Sequence, residues 1–177
     1  MAKRLNADAI VNKVISVDAI DAHPQNYNQH PEEQISQLAT SHVSFGQYRS
    51  VVVWARPGGR YVQVAGHGYL QAAKGEGLTH VRADVLPIDT PDETIKAIMV
   101  ADNLHAQNST PDDEMLAHIL QEQVNAGYDL ASLGTDEETL RQMLDALGDE
   151  YMGSGDGEGD EDEVPENVET RCNLGDI

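Results

Sequence analysis

The stretch from Tyr61 to Gly77 constrains the fold more than any other part of the chain. It begins with a short apolar run, Tyr61–Ala65, that is rich in strand-forming residues. Gly66-His67-Gly68 interrupts the run, and residues 69–74 favour a helix. The sequence therefore predicts a buried strand, a glycine turn and a helix.

A glycine turn at the start of a helix has a chemical consequence. The first N–H groups of a helix have no partner within it, and the helix dipole places positive charge there. This geometry suits a phosphate or another anion. The alternative is that Gly66 and Gly68 only permit a tight turn, because a lone Gly-x-Gly is weak evidence for a binding site.

Alternating and periodic apolar residues predict the other elements. Strands are expected around residues 13–16, 50–55, 60–65 and 80–86, and the short connection makes the second and third an antiparallel hairpin. Helices are expected from Pro31 to Gly46 and after Thr-Pro or Thr-Asp start signals at Thr90, Thr110 and Thr135. Pro31 and Pro91 are expected at the first helical positions, with Thr90 as the cap before Pro91. We expect an α+β fold, a small mixed β-sheet flanked by helices, with a C-terminal helical extension that ends near Gly148.

Charge and composition divide the chain further. Residues 149–169 hold ten acidic residues and no basic one, which is half of the net charge of −20. This segment is predicted to be a disordered acidic linker. The remainder is still acidic, so it lacks the basic surface of a strong nonspecific DNA-binding protein. The single Cys172 excludes a disulfide within the chain, and the absence of a long apolar run predicts no membrane span and a cytoplasmic location.

Several stretches together resemble one family, the ParB N-terminal domain of the ParB/sulfiredoxin superfamily. They are His23–His30, Ile35–Trp54, Val62–Leu78 and Ala101–Leu104. The combination is more specific than any one of its motifs. The resemblance implies a ParB-like domain over residues 1–108 and a helical extension over residues 109–148.

A narrower resemblance is to ParB-like domains that precede DNA methyltransferases in phages, prophages and mobile elements. The strand that ends in Gly66-His67-Gly68, the helix residues Leu70–Lys74 and the Gly127–Leu130 segment resemble that subgroup. Residues 170–177 resemble the first strand of such a methyltransferase. By this resemblance S-adenosylmethionine would serve only that following domain, and a phage-encoded chain would act in the host cytoplasm.

The resemblance also implies a site. The residues that it places near nucleotide phosphates or the base are Asn26, His30, Gln47, Arg49, Gly66, His67, Gly68 and Tyr69. Asp102 and Asn103 match an acidic-Asn pair near the phosphates, which implies a catalytic or Mg²⁺-binding role. Tyr69 stands where the family has a phosphate-binding arginine, and His67 stands where sulfiredoxins have a cysteine.

Each of these residues also has a plainer interpretation. His67 would then be a helix cap, Asn26 and His30 would belong to a polar turn, and Arg49 would be a solvated charge. Three hypotheses follow. The first is an accessory module of a DNA methyltransferase that binds a nucleoside triphosphate or DNA. The second is a metal-dependent phosphotransferase, NTPase or nuclease that acts through Gly66–Gly68 and Asp102/Asn103. The third is a protein-interaction module, including a homodimer, formed by the helical extension.

Overall fold

The computed structural model describes residues 5–153. The strands are β1 (Val11–Ser16), β2 (Ile20–Asp21), β3 (Val51–Ala55), β4 (Tyr61–Ala65) and β5 (His80–Leu86). The helices are α1 (Glu32–Phe45), α2 (His67–Gly75), α3 (Asp92–Gln107), α4 (Asp113–Asn125), α5 (Leu130–Leu133) and α6 (Glu137–Gly153). The predicted linker beyond Gly153 and the segment 170–177 lie outside the described residues.

The five strands form one mixed sheet in the order β1-β5-β3-β4-β2. β1 pairs with β5 and β3 with β4 in antiparallel fashion, whereas β3 pairs with β5 and β2 with β4 in parallel. The predicted hairpin is therefore confirmed, and so is the α+β class with its small mixed sheet and flanking helices. The two-residue strand β2, at the edge beside β4, was not predicted because so short a segment carries no periodicity.

Each face of the sheet has its own apolar core. On one face, Val51, Val53, Val81 and Ala83 pack with Leu70 and other residues of α2. On the opposite face, Trp54, Val64 and Leu86 pack with the α3 residues Ile95 and Met99. The alternation of residues along β3 and β5 produces this division, since successive side chains of a strand point to opposite faces.

The extension has a separate small core. Ala117 and Leu120 of α4 pack with Leu130 of α5 and Leu140 of α6. Helix α6 continues to Gly153 instead of ending near Gly148, so residues 149–153 are helical and do not belong to a linker. None of the helices within residues 5–153 has the length and apolarity that crossing a membrane requires.

Two helices start one residue later than predicted. Pro31 and Pro91 are the capping residues of α1 and α3, not their first helical residues, and neither cap makes a side-chain hydrogen bond. Thr90 was expected to cap α3, but its hydroxyl is buried without a partner. The extended backbone of Pro91 (ψ 140°) separates Thr90 from the first turn, which explains why the threonine does not reach it.

Gly66 is the point at which the chain leaves β4 and enters α2. Its backbone is left-handed (φ 80°), and a Cβ on it would lie 3.1 Å from Val51 Cγ1. A side chain would therefore meet both an unfavourable backbone conformation and a crowded neighbour. Gly77 has nearly the same φ, 76°, but open space around it.

This pair provides a matched stability test. We expect Gly77→Ala to lower the free energy of unfolding by about 1 kcal/mol, the cost of a left-handed alanine. Gly66→Ala should cost about 1–3 kcal/mol more because it adds overpacking against Val51. Urea unfolding followed by circular dichroism measures both variants. Equal losses would show that the contact with Val51 is easily relieved.

Candidate functional site

The first turn of α2 forms one end of the candidate site. His67 and Gly68 already belong to the helix, which corrects the prediction that the helix begins at Tyr69. The N–H of Leu70 is the first to bond within the helix, to the carbonyl of Gly66. The N–H groups of the preceding first-turn residues have no partner in the helix, which is the usual arrangement at an anion-binding helix N-terminus.

Gly68 serves a different purpose from Gly66. A Cβ on Gly68 would lie 3.0 Å from Leu38 Cδ1 and 3.1 Å from His30 Nδ1. The missing side chain therefore lets the first half of α1 and the loop before it approach the start of α2. This close approach brings residues that are distant in sequence to the walls of one cleft.

The cleft at this junction has a volume of about 360 Å³, which is within the range of small-molecule sites. Its walls contain eight of the ten residues that the sequence analysis proposed, namely His30, Arg49, Gly66, His67, Gly68, Tyr69, Asp102 and Asn103. Asn26 and Gln47 do not line it. The structure thus brings residues from the start of α1, the loop before β3, the β4–α2 turn and the end of α3 to one place.

Asn26 shapes the loop instead of facing the cleft. Its Oδ1 accepts the N–H of Asn28 at 3.2 Å, and its Nδ2 donates to the Asn28 carbonyl at 3.2 Å. Asn28, two residues later, is the asparagine that lines the cleft. The sequence placed both asparagines in one polar loop, but only the turn geometry decides which of them faces the cleft.

Gln47 also has a structural contact. Its Oε1 accepts the N–H of Arg82 at 2.7 Å, and its Nε2 donates to the Arg82 carbonyl at 2.8 Å. The side-chain amide thereby pairs with β5 next to the point where β3 begins, since Val51 is opposite Ala83. This contact holds the loop of residues 46–50, and with it Arg49 and Tyr48, beside the cleft.

Burial determines the protonation of two residues in the walls. Burial, together with nearby His30 and His23, lowers the pKa of His67 to about 4, although Asp102 opposes the shift. Burial and the negative charge of Glu76 raise the pKa of Tyr69 to about 12. At neutral pH the imidazole is therefore neutral and the phenol keeps its proton.

Four wall residues contain a buried polar atom that has no hydrogen-bond partner. The atoms are His30 Nε2, His67 Nε2, Tyr69 Oη and Asn103 Nδ2. An unpaired buried polar group costs about 1–3 kcal/mol, so such a group normally pairs with protein, with ordered water or with a bound ligand. The concentration of four such atoms around one cleft distinguishes it from the other cavities of the described residues.

Some cleft residues were not proposed as ligands, among them Gln34, Leu38 and Ala106. Gln34 and Leu38 lie on α1, where their spacing indicated only an amphipathic helix, and Tyr48 lies in the loop before β3. The signal that could have identified Gln34 is its spacing from His30, since the two side chains are in contact at 3.0 Å. Tyr48 lies between Gln47 and Arg49, in the loop that the family resemblance places near the base.

Asp102 and Asn103 lie together at the cleft, the first exposed and the second half-buried. Residues 5–153 contain no group of three or more His, Cys, Asp or Glu side chains arranged to hold a metal ion. Mg²⁺, however, is often bound through one or two carboxylates and the phosphates of a substrate. Asp102 therefore fits a metal that arrives with a nucleotide, and the assignment of Asp102 and Asn103 stays a prediction.

Comparison with known proteins identifies the family. The profile of the ParB N-terminal domain matches residues 1–104. The chain belongs to the ParB N-terminal domain family. A comparison with curated protein sequences found no match.

Solved structures agree with this assignment of the ParB N-terminal domain. A C-terminally truncated chromosome-partitioning protein ParB from Caulobacter crescentus, complexed with CTP-gamma-S, is 19% identical, with a TM-score of 0.66 over 82% of this chain and 86% of that one. Sulfiredoxin from Arabidopsis thaliana is 16% identical, with a TM-score of 0.43 over 50% of this chain and 97% of that one. At this identity the likeness to the ParB structure shows the fold alone.

The contact of Gln47 with β5 can be tested by stability. We expect Gln47→Leu to lower the free energy of unfolding by about 1–3 kcal/mol, because it leaves the N–H and carbonyl of Arg82 unpaired. Gln71→Leu, at an exposed position of α2, is the control and should change stability little. Equal effects of the two substitutions in urea unfolding would contradict the structural role of Gln47.

The low pKa of His67 has a consequence for acid stability. The unfolded chain binds a proton at this histidine below pH 6.5, whereas the folded chain does so only near pH 4. The free energy of unfolding should therefore fall between pH 6.5 and pH 4. We expect His67→Gln to reduce this pH dependence, while His118→Gln, at an exposed position of α4, leaves it unchanged. An unaltered pH profile in His67→Gln would contradict the burial of a neutral imidazole.

Proposed function

We propose that this chain is a ParB-like nucleotide-binding module whose cleft holds a nucleoside triphosphate. The observation that carries the proposal is the set of four unpaired buried polar atoms beside the first turn of α2. Backbone N–H groups and the helix dipole favour the phosphates at that turn. The similarity to a ParB structure complexed with CTP-gamma-S makes CTP the first nucleotide to test.

The groups of the cleft divide into neutral donors and a few charges. Tyr69 Oη and Asn103 Nδ2 are donors that would hydrogen-bond phosphate oxygens without adding charge. Arg49 supplies an exposed cation to the cleft wall, and Asp102, another exposed wall residue, would bind Mg²⁺ together with the phosphates. Charge-assisted hydrogen bonds are about twice as strong as neutral ones, so tyrosine in place of the family arginine should weaken phosphate binding.

The role that DNA would take is limited by charge. Within residues 109–147, Arg141 is the only Lys or Arg, against nine Asp and Glu residues. An acidic extension repels the phosphate backbone. In our proposal DNA contact is therefore local to the ParB-like domain or is shared with a companion protein, and nucleotide binding is the primary property of the chain.

The resemblance to domains that precede DNA methyltransferases supports a further step. We propose that the nucleotide-bound module assists a methyltransferase of a phage or mobile element, which would carry the S-adenosylmethionine chemistry. A methyltransferase encoded beside this chain should then transfer methyl groups to DNA faster when the chain and the nucleotide are both present. The same rate in their absence would remove this step and leave the nucleotide site untouched.

The nucleotide site is tested by calorimetric titration with CTP, ATP, GTP and UTP in the presence of Mg²⁺. We expect binding that Asn103→Ala weakens at least tenfold, because the mutation removes a buried donor from the cleft wall. Asn125→Ala, on the exposed side of α4, is the matched control. Arg49→Gln should likewise weaken nucleotide binding because it removes a cation from the cleft wall. Arg141→Gln removes a cation from α6, away from the cleft, and should leave the affinity unchanged.

Two results would redirect the proposal. Absence of binding by the wild-type chain to all four nucleotides would contradict it. Release of inorganic phosphate that disappears in Asp102→Ala, with the fold intact by circular dichroism, would show that the module is an enzyme. Binding without phosphate release would identify a recognition module.

A further inference from the structure

A groove lies in the helical extension, where α4, α5 and α6 meet. It has a volume of about 520 Å³, and none of its lining residues belongs to the cleft at the start of α2. Helix α6 contributes Glu137, Leu140, Arg141, Leu144 and Asp145, and the rest of the lining comes from residues 121–130. We call this cavity the extension groove.

The α6 residues of the extension groove form a single stripe. Positions 137, 140, 141, 144 and 145 follow the spacing i, i+3, i+4, i+7 and i+8, so they share one face of the helix. The stripe is about 12 Å long, since a helix rises by about 1.5 Å per residue. Two turns of a second helix have the same length, and helices that bind in grooves use anchors with this same spacing.

The extension groove has an apolar surface that the chain itself leaves uncovered. Leu130 and Leu140 are buried and belong to the small core of the extension. Val124 and Leu144 line the same groove but are each 36% exposed, and Tyr128 is 45% exposed. A contiguous apolar surface with polar residues around it is typical of a protein interaction site.

Acidic side chains accompany this apolar surface. Asp129, Glu137 and Asp145 are exposed residues of the wall. Arg141 also lines the groove, but its guanidinium is ion-paired with Glu138 at 2.5 Å. The wall is therefore negative, and charge complementarity requires a positive partner. A second copy that docked groove to groove would place these carboxylates against one another.

We propose that the extension groove binds an amphipathic helix of a partner protein, with apolar side chains on one face and Lys or Arg residues beside them. The apolar face would cover Val124, Tyr128 and Leu144, and the basic residues would meet the carboxylates of the wall. Tyr128 also contacts Phe45 of α1, with ring centroids 5.6 Å apart. The bound helix would therefore be held beside the ParB-like domain without occupying the nucleotide cleft.

The test uses two model peptides that differ only in charge. Each has about 14 residues, the length at which an isolated helix becomes marginally stable. One has leucine at i, i+3, i+4 and i+7 with lysine elsewhere, and the other has glutamate in place of every lysine. Fluorescence anisotropy at physiological ionic strength measures their binding to the full chain. We expect the lysine peptide to bind at least tenfold more tightly than the glutamate peptide.

Leu144→Asp distinguishes docking in the groove from attraction by net charge. The substitution adds negative charge, so binding that followed net charge alone would become tighter. Docking of an apolar face should instead become at least tenfold weaker. Ile119→Asp is the matched control, because it makes the same change at a 46% exposed position of α4 outside the groove. It should not weaken binding of the lysine peptide.

A second pair of variants leaves the apolar surface intact and guards against misfolding of Leu144→Asp. Asp145→Lys places a positive charge in the groove wall and should weaken binding of the lysine peptide at least fivefold. Glu114→Lys changes the net charge by the same amount at an exposed position near the start of α4, outside the groove. It should weaken binding less than twofold. Circular dichroism confirms that each variant is folded.

Several results would overturn this inference. Binding of neither peptide, or equal binding of both, would show that the groove does not select a basic helix. Equal effects within either pair of variants would show that the peptide follows net charge and does not occupy the groove. A dimer in sedimentation equilibrium that Leu144→Asp dissociates would assign the groove to a second copy of the chain. Nucleotide affinity should be the same in Leu144→Asp and wild type, so this inference and the proposed function fail separately.

Discussion

The close approach of α2 to its neighbours is the constraint on which the rest of the site depends. Gly66 turns the chain beside Val51, and Gly68 leaves space for Leu38 and His30. Because neither position carries a side chain, the first turn of α2 can lie against both the sheet and α1. The same packing that closes the apolar core therefore exposes the helix N-terminus to the cleft.

Burial gives this cleft its chemical character. The chain as a whole has a net charge of −20, yet two wall residues are uncharged near neutral pH, because the low pKa of His67 leaves it unprotonated and the high pKa of Tyr69 leaves it protonated. Neutral donors in a buried wall select a ligand by hydrogen-bond geometry more than by charge. The exposed charges of the cleft wall are those of Arg49 and Asp102.

The helical extension has two different surfaces. Its inner side has an apolar core of its own and reaches α1 through α5. Its outer side is acidic, with Arg141 as the only Lys or Arg within residues 109–147. The acidic outer side is poorly suited to following a nucleic-acid backbone, where a positive surface is required.

The sequence by itself determined the main elements, the mixed sheet and most of the site. Strands β3 and β5 were evident from β-branched and alternating residues, and the Gly66–Gly68 turn marked the start of α2 beside the cleft. These features are local, so a pattern of neighbouring residues is sufficient to indicate them. The family resemblance added Asp102 and Asn103, which no local pattern would connect with a turn so distant in the chain.

Only the tertiary structure decided which polar residues face the cleft. Asn26 and Gln47 looked like ligands in the sequence, but one closes a turn and the other pairs with the backbone of Arg82. Gln34 looked ordinary in the sequence and lines the cleft. The physical reason is that the direction of a side chain in a loop, and the partner that satisfies it, depend on segments that fold against it from elsewhere in the chain.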